Sequence, residues 1–125
     1  MDDRELVHLA IEARKRAYCP YSRFAVGAAL LCGDGTVVTG ANVENAVNGL
    51  SLCAERVAVF KAVSEGRRDF LRIAVACSGD HCRPCGACRQ VLFEHAPNLE
   101  LLLGNPDGAF VRTTIRELLP DPFSL

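Results

Sequence analysis

Two short stretches, Cys53-Ala54-Glu55-Arg56 and Pro84-Cys85-Gly86-Ala87-Cys88-Arg89-Gln90, decide how this chain is read. Each reads as the start of a helix. Together they carry three thiols and a glutamate two residues beyond the first of them. Zinc takes four protein ligands in structural sites, and three plus a water in catalytic ones. Cys85 and Cys88 show the usual two-residue gap, so Cys53 must reach them through the fold.

The order of elements around the two stretches supplies that meeting. Residues 3–17 predict an amphipathic helix, with Leu6, Leu9, Ala10, Ala13 and Ala17 at three- and four-residue steps. Cys19-Pro20-Tyr21-Ser22 ends it. Residues 25–31 are small and apolar, as in a strand covered on both faces. Gly33-Asp34-Gly35 then turns the chain into a returning strand at 36–39. Residues 40–52 form a polar loop holding Asn42, Asn45 and Asn48. Helix spacing resumes at 53–63, stopped by Gly66. Residues 70–77 read as the central strand, 78–84 as a loop, and 86–95 as a helix ending before Pro97. Strands follow at 100–103 and 110–112, separated by the turn Asn105-Pro106-Asp107-Gly108. Thr114-Ile115-Arg116-Glu117 matches a capping box for a last short helix.

This pattern implies an α/β fold with three α/β/α layers around a mixed five-stranded sheet, residues 1–125 forming one domain. Right-handed crossovers place the second and third helices side by side on one face. Their N-termini open at the same sheet edge, which brings Cys53 to Cys85 and Cys88.

The chemistry of the helix starts follows. A thiolate binds metal, and a helix N-terminus stabilises thiolates through free N–H groups and the helix dipole. Cys85 and Cys88 fall on one face of a first turn. Three thiolates on one zinc ion leave a net charge of about −1. Arg56, one turn after Cys53, can donate to sulfur and offset it. Glu55 points beside the metal, where a free carboxylate can move protons.

Composition sets the broad class. The 125 residues are 50% hydrophobic and 23% charged, with net charge −1 and pI about 6.3, as expected of a globular protein. Arg14-Lys15-Arg16 and Arg67-Arg68 are too short for a nucleic-acid footprint, so no polymer partner is expected. The charged start Met1-Asp2-Asp3-Arg4-Glu5 is unlike a signal peptide, and no apolar run approaches a membrane span. A cytoplasmic location is expected. There, an odd count of seven cysteines argues for metal or catalysis rather than disulfides. Cys19, Cys32 and Cys77 read as small buried hydrophobes.

Two structural readings compete. Cys82 adds a second Cys-x-x-Cys step, so Cys53, Cys82, Cys85 and Cys88 could form a closed four-thiolate zinc site in a non-catalytic module. An iron–sulfur run would need a cysteine four residues after Cys88, and that residue is Leu92.

With these residues assembled, the chain resembles the zinc-dependent nucleoside deaminases, most closely the small homotetrameric cytidine deaminases. Their signature, His/Cys-x-Glu followed by Pro-Cys-x-x-Cys, stands here in its all-cysteine form. The resemblance extends to the segments 21–29, 42–45, 53–66 and 118–123. It implies hydrolytic removal of the exocyclic amine of cytidine or deoxycytidine in pyrimidine salvage, with one zinc ion per subunit held by Cys53, Cys85 and Cys88. Glu55 would pass protons from water to the ring nitrogen and the departing amine. Asn42 and Glu44 would hold the ribose hydroxyls, Ala54 would contact the substrate, Phe24 would pack on the base, and Phe123 would reach a neighbouring subunit's site. Arg56 would stand behind the metal. A homotetramer with shared sites is implied. The same machinery would suit another aminated nucleoside, such as blasticidin S or a modified cytidine. His81, in the loop before the second cysteine motif, could be a group supporting the site or an exposed loop residue.

Overall fold

Local signals set the ends of the elements in the computed structural model, which describes residues 1–125. Helix α1 (Asp3–Ala13) starts on a complete capping box: Asp2 accepts from the Glu5 N–H, and the Glu5 carboxylate accepts from the Asp2 N–H. Its stripe of Leu6, Val7, Ala10 and Ala13 is buried. The helix predicted to residue 17 stops at Ala13, and one 3-10 turn (Arg14–Arg16) follows. Such tightening is common at helix ends. Here it turns the chain into an extended segment whose Tyr18 bridges Val43.

Strands β1 (Gly27–Cys32) and β2 (Val37–Ala41) form the expected antiparallel hairpin, with Gly35 at φ +87° in the turn. All six residues of β1 are buried. Helix α2 (Ala54–Ser64) leads to β3 (Phe70–Ala76), α3 (Gly86–His95) to β4 (Glu100–Gly104), and a turn at Gly108 to β5 (Phe110–Thr114). Helix α4 (Ile115–Leu118) closes the series. Only half of its capping box forms. Thr114 accepts from the Glu117 N–H, while the Glu117 carboxylate accepts from the Thr113 hydroxyl. The polar loop holds a further 3-10 turn at Asn48–Leu50.

The sheet order is β2-β1-β3-β4-β5, with β3 central as expected. Only β3 and β4 run parallel; the other three pairings are antiparallel. Helix α2 therefore crosses over β1, and α3 links the parallel pair on the same face. Alternation along the strands divides the apolar residues into two cores. Leu30, Ile73, Val75, Leu101 and Leu103 face Ala58, Val59, Leu92 and Ile115. Ala29, Ala74, Ala76 and Leu102 lie under Leu6, Val7 and Ala10 of α1. These are the three layers the sequence predicts. Asp3 ties α1 to the sheet, meeting Arg72 at 3.0 Å and also Arg112, whose guanidinium reaches Glu100 at 3.0 Å.

Two glycines permit very close approach. A Cβ on Gly27 would fall 2.0 Å from the Ala10 carbonyl oxygen, and one on Gly40 would fall 2.5 Å from that of Ala54. Of the three cysteines expected to be buried, Cys32 and Cys77 are, whereas Cys19 is half-exposed. No helix is long and apolar enough to cross a membrane.

Candidate metal centre and active site

Cys53 is the N-cap of α2 and Cys85 the N-cap of α3, so both side chains face the free N–H groups of a first helical turn. Cys85 uses its place locally: its sulfur accepts from the Cys88 N–H at 3.4 Å. Cys53 makes no such cap bond. Packed side by side on one face of the sheet, the helices bring the sulfurs of Cys53, Cys85 and Cys88 within 4.8 Å of one another. The Cys53–Cys85 separation is 3.9 Å. Zinc–sulfur bonds of about 2.3 Å at tetrahedral angles require an edge of about 3.8 Å, so this donor set fits zinc. Burial grades from Cys88, fully covered, through Cys53 to exposed Cys85, which leaves the group open on one side.

The charge state suits a metal as well. The Cys53 thiol is pulled down to about 5, chiefly by a hydrogen bond from the Cys88 thiol, with the Arg56 guanidinium adding to it against the cost of burial. The Arg56 donor sits 3.3 Å from the Cys53 sulfur. The same thiol–thiol bond pushes Cys88 up, because Cys88 is the donor that would be lost. One interaction explains both shifts: the first proton leaves from Cys53.

Glu55 is 4% exposed. Burial, followed by the Cys53 charge, raises its carboxyl from 4.5 to about 7, and only its own backbone N–H donates to it. Its charge in turn acts on Cys88, which marks it as a neighbour of the sulfur group. Cys82 lies outside that group. It is buried with Cys77 in the core, its thiol in contact with that of Cys77. This overturns the closed four-thiolate reading, because β3 ends at Ala76 and the following loop folds Cys82 inward. A surface cleft between α1 and the Pro106–Ala109 turn lies elsewhere and holds no cysteine.

Residues 1–99 match the family model described as the cytidine and deoxycytidylate deaminase zinc-binding region. The chain belongs to this family. It is 54% identical to a cytidine deaminase of Halalkalibacterium halodurans, over 99% of this chain and 96% of that protein. The crystal structure of a cytidine deaminase from Burkholderia pseudomallei superposes with a TM-score of 0.96 at 48% identity, covering 98% of this chain and all of that one. A blasticidin-S deaminase of Bacillus cereus is 33% identical, over 94% of this chain and 89% of its own length.

Other residues of this deaminase fall into two groups. Asn42 and Glu44 are engaged by their own chain. The buried Asn42 amide accepts from the Val26 N–H and donates to the Phe24 carbonyl, both at 2.8 Å. Glu44 accepts from the N–H groups of Tyr21 and Ser22 and from the Ser22 hydroxyl, and these bonds hold its carboxyl below the usual range. They fix the segment leading to Phe24, where Arg23 is held at φ +59°. Ala54 is fully buried, its carbonyl beneath Gly40. Phe24 and Phe123, by contrast, are 45% and 68% exposed, so neither is a core residue. His81 has a buried Nδ1 with no hydrogen-bond partner.

Sequence reasoning gave no role to Arg89 and Gln90 of the deaminase. Arg89 donates from Nε to the Pro84 carbonyl at 2.8 Å and from a terminal nitrogen to the Leu118 carbonyl at 2.9 Å. Gln90 accepts from the Phe123 N–H at 3.1 Å and donates to the Phe123 carbonyl at 2.9 Å. The signal was their position directly after Cys88. Their partners at Leu118 and Phe123 lie 29 and 33 residues away, beyond the reach of local patterns.

Proposed function

We propose that the chain hydrolyses the exocyclic C–N bond of cytidine or deoxycytidine, giving uridine or deoxyuridine and ammonia. The observation that carries this is the pairing of a three-sulfur group, open on one side, with the buried carboxyl of Glu55, whose charge interacts with Cys53 and Cys88. Zinc held by Cys53, Cys85 and Cys88 supplies a Lewis acid that makes water nucleophilic near neutral pH. Glu55 takes a proton from the attacking water and delivers protons to the ring nitrogen and the departing amine. The C4–N bond breaks, a C4 carbonyl replaces it, and ammonia leaves. A carboxyl raised to about 7 suits both directions of that transfer. Arg56 offsets the negative charge of three thiolates.

For substrate binding, we assign Asn42 and Glu44 to the ribose hydroxyls through the donor and acceptor positions their internal bonds leave over. Ala54 contributes at the start of α2, Phe24 packs on the base, and Phe123 serves a neighbouring copy's site. The exposure of Tyr21, Phe24, Val47, Leu50 and Phe123 supports assembly into a homotetramer. One sheet shared by all four helices supports a single domain over residues 1–125. Seven free thiols support a reducing, cytoplasmic setting.

The test is loss of cytidine with stoichiometric uridine and ammonia from purified, zinc-loaded protein, run beside deoxycytidine, blasticidin S and modified cytidines. Turnover of cytidine, abolished by Glu55→Gln with zinc retained, is the expected result. Turnover of blasticidin S alone would move the substrate to that class, for which the Bacillus cereus relative gives a precedent. Zinc bound with no turnover of any aminated pyrimidine overturns the reading.

A further inference from the structure

The tail after α4 is attached to the rest of the molecule in an unusual way. Residues 120–125 make no backbone–backbone hydrogen bond, and the last such bond runs from the Leu119 N–H to the Ile115 carbonyl. The two bonds between Gln90 and Phe123 are the only hydrogen bonds of residues 120–125. The carboxamide reads the backbone of Phe123 in both directions, as acceptor and donor, so the clasp fixes the position of that residue whatever its side chain. Just before the tail, the Leu118 carbonyl is held by Arg89.

The two anchoring residues directly follow a metal ligand. The Arg89 guanidinium spans two places at once: the Pro84 carbonyl, which immediately precedes Cys85, and the end of α4. Its own N–H closes the first turn of α3 on the Cys85 carbonyl at 2.9 Å. A planar, rigid fork holds its two partners in a fixed relation to each other. Whatever orders the segment from Pro84 to Cys88 therefore orders the groups that hold the tail.

We propose that Arg89 and Gln90 are positioning residues that couple the metal centre to the C-terminal tail, so that metal at Cys53, Cys85 and Cys88 and docking of Phe123 reinforce one another. The coupling rests on metal binding by the three thiols and is independent of any reaction carried out there. Linkage makes it reciprocal: the factor by which metal tightens the tail is the factor by which the docked tail tightens the metal.

The experiment uses full-length protein and no substrate. Amide hydrogen exchange at Phe123, with Val75 of the central strand as internal reference, reports docking. Competition with a chromophoric chelator reports zinc affinity. Gln90→Ala is expected to speed exchange at Phe123 at least about tenfold with Val75 unchanged, and to weaken zinc at least about fivefold, the low end of ordinary coupling. Gln90→Glu keeps the acceptor for the Phe123 N–H and loses the donor to its carbonyl, so both effects are expected in the same direction and smaller. Arg89→Lys, which cannot span both carbonyls, is expected to match Gln90→Ala. Faster exchange at Phe123 with zinc affinity unchanged in all three variants would overturn the coupling, as would an unchanged exchange rate in Gln90→Ala. Wild-type protein that binds no zinc would overturn both the coupling and the function proposed above; variants with wild-type zinc affinity would overturn the coupling alone.

Discussion

Glu55 is the residue where burial bears most directly on the proposed function. Burial favours its neutral acid, so in metal-free protein its contribution to stability is fully present below about pH 4.5 and lost as pH rises through about 7. The loss amounts to roughly 3 kcal/mol. Cys53 acts in the opposite sense, since its lowered pKa adds stability as pH climbs from about 5 toward 9. The difference between wild type and Glu55→Gln isolates the carboxyl, because glutamine resembles the neutral acid. Urea unfolding of chelator-treated protein is expected to show the variant gaining on wild type between pH 5 and pH 8. The same substitution is expected to lower kcat by at least about a hundredfold in the zinc-loaded enzyme, as loss of a general acid–base group does. Arg56→Ala removes the donor on the Cys53 sulfur and is expected to weaken zinc ten- to a hundredfold, read by chelator competition. These residues were legible in the sequence because ligand type, spacing and helix start are local properties. From the residues themselves Asn42 was legible as a polar loop residue, and only the family resemblance gave it a place at the ribose. That its amide is spent on the backbone at 24–26 depends on a strand edge no local pattern reveals.

The contact between β2 and α2 governs the placement of Cys53. Gly40 lies so close to the first turn of α2 that a methyl group would meet the backbone at Ala54 and Ala58. Backbone cannot swing aside as a side-chain tip can. Gly40→Ala is therefore expected to destabilise the fold by about 1–3 kcal/mol, as overpacking does. It should also weaken zinc, since Cys53 starts the displaced helix; thermal unfolding and chelator competition read the two effects. Most elements were evident from period and punctuation, their ends differing by a few residues at most. The misjudged end of α1 has a clear cause. Ala13 and Ala17 keep a four-residue step across the 3-10 turn, so spacing alone continues a helix that the backbone has left. The competing reading of Cys82 rested on a similar feature: its three-residue step to Cys85 suggests a shared site, while loop packing sends it into the core with Cys77.

At the scale of the molecule, metal and ion pairs act on stability in separate places. Zinc favours the folded arrangement of three sulfurs, so chelation is expected to lower the unfolding temperature, and added zinc to restore it in a concentration-dependent way. Asp3 holds two arginines of the sheet from the far layer. Asp3→Ala is expected to cost about 1 kcal/mol in urea unfolding and to leave zinc affinity unchanged. The separation of those two effects distinguishes the layer that carries chemistry from the layer that only covers the sheet. The sheet order also carries a consequence for assembly. Hairpins at either rim need only short loops to close, whereas the parallel pair at the centre must wait for a crossover to lay α3 in place. Cys53 and Cys85 belong to successive crossovers, so the full trio of donors exists only once that pair has zipped. An ion that is to meet all three sulfurs at once therefore depends on both crossovers being closed.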